Sequence, residues 1–372
     1  MDTGREQEND NDSDYTTDSE ESSSEYCRGG YHPVFVGDMF KNKRYEVKEK
    51  VGYGAFSTVW KAYDHKQNRE IALKITKSEE DVRVMTEDEL EYCKRIGKAM
   101  EKLSMKTVQL TLINDSFLVK GPHGVHYGLT FDLCGSNLYS TIHKSYWEPN
   151  NTWIVRRIMR QLIEALAFLH DHCDMIHADI KPENILWESP LMNANNPELI
   201  QTMFHDHNNL ELTKIKLADL NGAILKSDKS CDFLQTREYR AIEVTLGQKI
   251  TTAIDIWSTG CTTFDLITGT TLFEPERSDK MTKTQHHASL IEKYCGRIPS
   301  HMRDRGTYVR DVFDGKKKPK FVRQERQTMS EHLIEISGCD DSNVAHFIEI
   351  QLSIDYRLRP TAEQLLNHPF LK

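Results

Sequence analysis

No CxxC pair occurs anywhere in the 372 residues. The eight cysteines (Cys27, Cys93, Cys134, Cys173, Cys231, Cys261, Cys295 and Cys339) lie scattered along the chain. That spacing argues against a zinc ribbon or a disulfide framework and reads as free thiols in a reducing compartment. No apolar run approaches the roughly 18 residues that a membrane-spanning helix needs. No basic segment followed by an apolar one opens the chain, so the sequence predicts an intracellular protein with no membrane association. Positive charge is not in surplus either, with 48 Lys and Arg against 57 Asp and Glu, a net of −9. Bulk electrostatics therefore exclude a basic nucleic-acid binder. The imbalance is local: residues 1–26 hold ten carboxylates and a single base, Arg5, and the remaining 346 residues balance at 47 of each sign. There are no internal repeats.

Residues 1–26 are Asp, Glu, Ser, Thr and Asn with almost nothing apolar, which predicts a disordered acidic leader. Aromatic and β-branched residues appear from Tyr31 onward. Tyr45–Lys50, Ser57–Asp64 and Ile71–Lys77 alternate as strands do, and a helix follows at Thr86–Lys98. Thr107–Asn114 and Gly128–Leu133 read as two further strands. After Gly135 the period changes to that of helices, first over Trp153–His170, then over Thr252–Thr268, Gln285–Tyr294, Asn343–Ser353 and Ala362–Leu366. The polar stretch 188–213 reads as an insert between two strands. A small β-rich unit thus precedes a larger helical one, an α+β organisation.

Three segments carry chemistry. Val51-Gly52-Tyr53-Gly54-Ala55-Phe56-Ser57-Thr58-Val59 lies between two strand patterns. Glycines there let main-chain N–H groups approach phosphate oxygens that a Cβ would hold off, although an ordinary β-turn carries such glycines too. Lys74, on the next strand, is placed to reach the same phosphates, and Glu89 can hold its ammonium, with Glu87 and Asp88 as neighbouring alternatives. The second segment, His177-Ala178-Asp179-Ile180-Lys181-Pro182-Glu183-Asn184, puts a carboxylate, a lysine and an amide in one loop. Asp179 can orient a hydroxyl nucleophile, Lys181 can offset charge on a transferring phosphoryl group, and Asn184 can ligate a metal. The third is Ala218-Asp219-Leu220-Asn221-Gly222, where Asp219 would chelate a metal bridging nucleotide phosphates. His170, His172, Cys173 and His177 look superficially like a zinc cluster, but such groups at a helix end more often cap it or pack in the core.

Over 45–371 these residues resemble a eukaryotic protein kinase, and specifically the SR-protein kinases, which phosphorylate Arg/Ser-rich splicing factors. The resemblance extends to Tyr26-Cys27-Arg28-Gly29-Gly30-Tyr31-His32-Pro33-Val34 ahead of the core, Thr236-Arg237-Glu238-Tyr239-Arg240, Asp255-Ile256-Trp257, Leu272-Phe273-Glu274-Pro275 and Arg359-Pro360-Thr361-Ala362. It implies a bilobal kinase fold in three parts: a leader over 1–26, a family segment over 27–44, and a kinase domain over 45–372. The lobes would be 45–134 and 135–372, with a short spacer at 188–213. It implies ATP and Mg²⁺ as cofactors, Asp179 as catalytic base, and Asp219 and Asn184 as metal ligands. Lys74 would pair with Glu89, Ala72 and Leu186 would sandwich adenine, and Asp132–Cys134 would supply main-chain contacts to the base. Glu243 with Arg359 would be a structural ion pair, and Lys181 with Thr236 would favour Ser/Thr acceptors. The expected enzyme is a constitutively active monomer of cytoplasm and nucleus that acts on splicing factors and contacts neither nucleic acid nor membrane.

Some positions depart from that pattern. Ala178 replaces the arginine that reads an activation-loop phosphate in regulated kinases, and Ile242 replaces a common proline. Asn221 replaces glycine at the end of the metal-binding triplet, where its tolerance of positive φ should preserve the turn. Ala178 and Asn221 together keep a catalytically dead scaffold as an alternative. Thr270, His286 and Lys293 stand where the family's docking groove presents carboxylates to substrate arginines, which predicts weak docking of basic segments and keeps open a kinase with other substrates.

Overall fold

The computed structural model describes residues 21–143, 147–193, 195–205, 210–228 and 234–372. Ser230, Cys231, His207 and most of the acidic leader lie outside the described residues. Glu21–Tyr26, expected to belong to that leader, is instead seated: Ser23–Glu25 forms a short 3-10 turn, and Glu21 pairs with Lys50 and accepts from the Tyr26 hydroxyl. Glu21 with Lys50 and Glu25 with Lys77 thus give cationic partners to two carboxylates of a stretch that composition alone reads as unstructured.

The chain divides into two compact units. The first comprises residues up to Leu90 with Leu112–Leu133, and the second Glu91–Thr111 with Cys134–Lys372. In the first, β1 (Met39–Phe40), β2 (Tyr45–Gly54), β3 (Ser57–Asp64), β4 (Arg69–Thr76), β5 (Asp115–Gly121) and β6 (Gly124–Asp132) form one antiparallel sheet of order β1-β2-β3-β4-β6-β5. Alternate side chains of β2, β3 and β4, among them Tyr45, Val47, Trp60, Ala62, Ile71, Leu73 and Ile75, form its core with Val34 and Val119. Between β4 and β5 runs α1 (Glu80–Lys102), inside which the division of units falls. It begins well before Thr86 because Glu80 and Asp81 suit a helix N-terminus and Arg83 pairs with Glu80 and Glu87.

The strand expected at Thr107–Asn114 is not there. Leu110 makes only an isolated bridge to Leu217, and main-chain bonds tie Gln109 and Thr111 to Leu217 in the second unit. The strand lies one segment later, at β5, whose Phe117 and Val119 face inward while Leu118 is exposed. That exposed leucine blurs the alternation. Leu118 lies on the face of β5 turned to solvent, opposite the one that carries Phe117 and Val119.

The second unit is largely helical. It contains α2 (Leu138–His143), α3 (Thr152–Cys173), α4 (Pro197–His205), α5 (Ile242–Thr245), α6 (Ala253–Thr268), α7 (Lys283–Cys295), α8 (Val309–Val312), α9 (Met329–Ser337), α10 (Ser342–Gln351) and α11 (Ala362–Leu365). Two small antiparallel pairs accompany them: β7 (Met175–Ile176) with β10 (Ile224–Leu225), and β8 (Ile185–Trp187) with β9 (Ile215–Leu217). α6 is buried on every side from Ile254 to Thr268, as a central helix must be. Asn151 caps α3, and Thr-x-x-Gln/Glu capping boxes start α7, α9 and α11. The polar insert is not featureless either: α4 buries Ile200, Met203 and Phe204, with Phe204 edge-on to Trp147.

Candidate active site

In the first unit the glycine segment is the hairpin joining β2 and β3. Gly52 pairs with Val59, Tyr53 with Thr58, and Gly54 with Ser57, which leaves Ala55 and Phe56 as the turn. A Cβ added at Gly52 or Gly54 would meet only open space, so these glycines are not required by packing. Their value is the room they leave above the main chain. Val51 and Phe56 are exposed, while Ser57 and Thr58 are buried. Lys74, on β4 opposite Val59 of β3, extends its ammonium to 3.3 Å from the Glu89 carboxylate of α1. Both side chains are buried. The choice left open between Glu87, Asp88 and Glu89 is thereby made, since Glu87 bonds Arg83 and Tyr127 instead. Ala72 is half-buried on β4 opposite Phe131, and Asp132 ends β6 exposed, bonded to Arg69 and Asn114.

In the second unit the loop between β7 and β8 gathers the polar side chains. The Asp179 carboxylate accepts from Thr236 Oγ1 at 2.8 Å, from Thr236 N at 3.3 Å and from Asn184 Nδ2 at 2.9 Å, and Lys181 Nζ lies 3.1 Å away. Lys181 also donates to Thr236 Oγ1 at 2.7 Å. Four groups thus fix one carboxylate. Because the Asn184 amide donates to both the main chain and the side chain of Asp179, it turns nitrogen toward the base and leaves Oδ1 for another partner. Asp219 follows β9, and Ala218 N donates to Asn184 O at 2.8 Å, which makes the two chain segments neighbours. An amide oxygen and a carboxylate are hard donors suited to a divalent cation that takes its other ligands from phosphate and water. Leu186 is half-buried on β8 opposite Lys216. Cys134 is half-buried where the second unit resumes.

The loop rests on a residue that motif reading did not single out for a role. Asp255, fully buried in the first turn of α6, accepts from His177 N and Ala178 N at 2.8 Å each and bonds His170 Nε2 at 2.8 Å. Ala178 sits at φ 63° and Asp219 at φ 67°, both left-handed and costly for non-glycine residues. Asp255 holds the first of these turns. His170 and His177 serve the same scaffold, His177 Nε2 lying 3.1 Å from Ala218 O. Among the described residues no group of three His, Cys, Asp or Glu could hold a metal. Asn221 proves not to need its tolerance: among the described residues neither it nor Gly222 has positive φ, and the strained position in that turn is Asp219. Burial pushes the Glu183 carboxyl above its usual range, with Lys181 opposing. Glu243 and Arg359 form a bidentate pair with no side-chain exposure, Arg359 Nη2 donating at 2.8 Å. At the docking positions, His286 Nδ1 accepts from Glu276 N at 2.9 Å, Lys293 Nζ donates to Tyr294 OH at 2.9 Å, and Thr270 N donates to Thr268 Oγ1 at 3.1 Å.

A sheet bearing a glycine hairpin with a buried Lys–Glu pair, and a helical unit holding an Asp–Lys–Asn loop, define a protein kinase. The protein kinase domain model matches residues 45–371, and the chain belongs to that family. Within it the branch is that of the SR-protein kinases. The serine/threonine-protein kinase SRPK of Physarum polycephalum is 34% identical, covering 97% of this chain and 93% of its own. Protein kinase dsk1 of Schizosaccharomyces pombe is 27% identical over 95% of this chain and 85% of its own, and SRSF protein kinase 3 of Homo sapiens is 24% identical over 80% of each. The chain is a serine/threonine protein kinase acting on protein substrates, with the ATP and divalent metal use of its family. The scaffold alternative falls away.

Proposed function

We propose that this kinase uses Mg²⁺-ATP to phosphorylate serines in Arg/Ser-rich splicing factors, and that it is active without activation-loop phosphorylation. The observation that carries the chemistry is the Asp179 carboxylate held by Lys181, Asn184 and Thr236. Asp179 orients the acceptor hydroxyl and takes up its proton. Lys181 offsets charge on the transferring group, and Thr236 joins the two. Lys74, steadied by Glu89, positions the α- and β-phosphates beneath the hairpin of Val51–Val59. Ala72 and Leu186 flank adenine, and the main chain of Asp132–Cys134 meets its edge. Asn184 and Asp219 are the metal ligands, and the bound cation would neutralise phosphate charge. The three-part division of the chain, a monomeric state and residence in cytoplasm and nucleus belong to the same reading.

Independence from phosphorylation is supported at Ala178. It offers no cation beside Asp179, and its main chain is already fixed by Asp255. Splicing-factor substrates are supported by the names of the relatives. A kinase with other substrates remains a second reading because Thr270, His286 and Lys293 present no carboxylates. One experiment addresses both points. Enzyme made in bacteria and treated with phosphatase is offered an Arg/Ser repeat peptide and a serine peptide lacking arginine. The proposal expects full activity after phosphatase and strong preference for the repeat. Lost activity would overturn phosphorylation independence, and equal rates would favour the second reading.

A further inference from the structure

At the tip of the glycine hairpin Val51 and Phe56 are exposed and the space over Gly52 and Gly54 is open. Its turn is fixed by two hydrogen bonds to carbonyls on either side of Ala55. Lys77 N, just past β4, donates to Phe56 O at 2.8 Å. The Tyr31 hydroxyl donates to Gly54 O at 2.7 Å from 23 residues upstream, ahead of the matched kinase core. Tyr31 is itself held from several directions. It is 2% exposed, its N–H donates to Glu25 O at 3.0 Å, and Lys77 Nζ lies 4.3 Å over its ring while pairing with the Glu25 carboxylate. The preceding glycines are anchored too, Gly29 N to His123 O and Gly30 O to Ser78 N. Burial, reinforced by the carboxylates of Glu25 and Glu21, pushes the Tyr31 phenol above its usual range, so the hydroxyl stays protonated and remains a donor.

We infer that Tyr31, kept in place by the Glu25–Lys77 pair, is a positioning residue that fixes the Gly54 end of the hairpin turn for nucleotide phosphates. The inference rests on the proposed reading of the hairpin as the phosphate cradle. The segment ahead of the core is then part of the nucleotide machinery.

Tyr31→Phe keeps the ring and removes only the donor. Steady-state kinetics in ATP, with adenosine as a competing ligand, separate positioning from packing. The full-length variant should show an ATP KM about three to ten times higher, the effect of one lost hydrogen bond. Its kcat and adenosine affinity should match those of wild type, because the hairpin tip meets phosphates and not the base, and its thermal midpoint should fall by no more than about 2 °C. Glu25→Gln, an accessible substitution that leaves Tyr31 intact, should move KM the same way by a smaller factor. Gly52→Val tests the cradle itself and should raise ATP KM while sparing adenosine. If Gly52→Val leaves ATP KM unchanged, the cradle reading fails and the role of Tyr31 with it. If Gly52→Val acts as expected but Tyr31→Phe leaves ATP KM unchanged, or weakens adenosine equally, the positioning role alone is overturned.

Discussion

In the glycine hairpin the atoms held in place belong to the main chain: Gly54 O by the Tyr31 hydroxyl and Phe56 O by the Lys77 amide. In the loop after β7 they belong to side chains, with the Asp179 carboxylate gripped by Lys181, Asn184 and Thr236. The first region uses glycines that leave space and lets a distant segment supply rigidity. The second packs its working groups within a few residues and passes the strain of Ala178 to buried Asp255. The difference teaches where each can be damaged. A side-chain network fails at one residue and loses chemistry. The hairpin, if it is the proposed phosphate cradle, fails by degrees and loses hold of the nucleotide. The two buried ion pairs divide similarly: Lys74 meets Glu89 at 3.3 Å, whereas Arg359 is locked to Glu243 by two bonds with no exposure.

The largest effect is expected at Asp179. Replacing it with Ala should lower kcat by a factor of about 10²–10⁴, the usual contribution of a positioned general base, measured as phosphate incorporation at saturating ATP. The next sharpens the contrast between the ion pairs. Glu243→Gln leaves a fully buried guanidinium without its counter-charge, which costs about 3–5 kcal/mol and should lower the thermal midpoint by about 5–10 °C. Glu89→Gln should shift the midpoint by less than about 3 °C, because the 3.3 Å contact between Lys74 and Glu89 is longer than the bonds that lock Arg359 to Glu243. It should nonetheless slow turnover. Equal midpoint losses in the two variants would erase the distinction between a structural and a functional pair.

Much of this was legible in the sequence where function sits in contiguous side chains. Asp179, Lys181 and Asn184 share one loop, and the structure brings them together with Thr236. Glu89 was separable from Glu87 and Asp88 only once the helix face was known. Asp255 was visible as part of Asp-Ile-Trp, but nothing in that triplet says its carboxylate reaches two amides some 78 residues away. Tyr31 lies in a segment recognisable from sequence, yet its bond to Gly54 spans two elements and leaves no local periodic trace. β5 was missed because exposed Leu118 breaks its alternation, and Thr107–Asn114 was misassigned because Val108 and Leu110 are buried without a sheet. The positive φ that the sequence suggests for Asn221 belongs to Asp219.

The smallest effect lies on α7, where His286 and Lys293 stand seven residues apart and therefore on nearly one face. Changing both to carboxylates, as His286→Asp with Lys293→Glu, should lower the KM for long Arg/Ser substrates by about three- to tenfold. Peptides that reach only Asp179 should be unaffected, and added salt should shrink the gain. No change for long substrates would mean that arginines dock elsewhere.

The proposed division between a hairpin that holds the nucleotide and a network that moves the proton is tested by titrating Mg²⁺-ATP into Asp179→Ala in a calorimeter. The expected Kd is within about twofold of wild type, less than the 1.4 kcal/mol that marks a tenfold change, in a protein whose turnover has fallen by orders of magnitude. Loss of ATP binding together with turnover would contradict it, because Asp179 would then be holding nucleotide as well as orienting the acceptor.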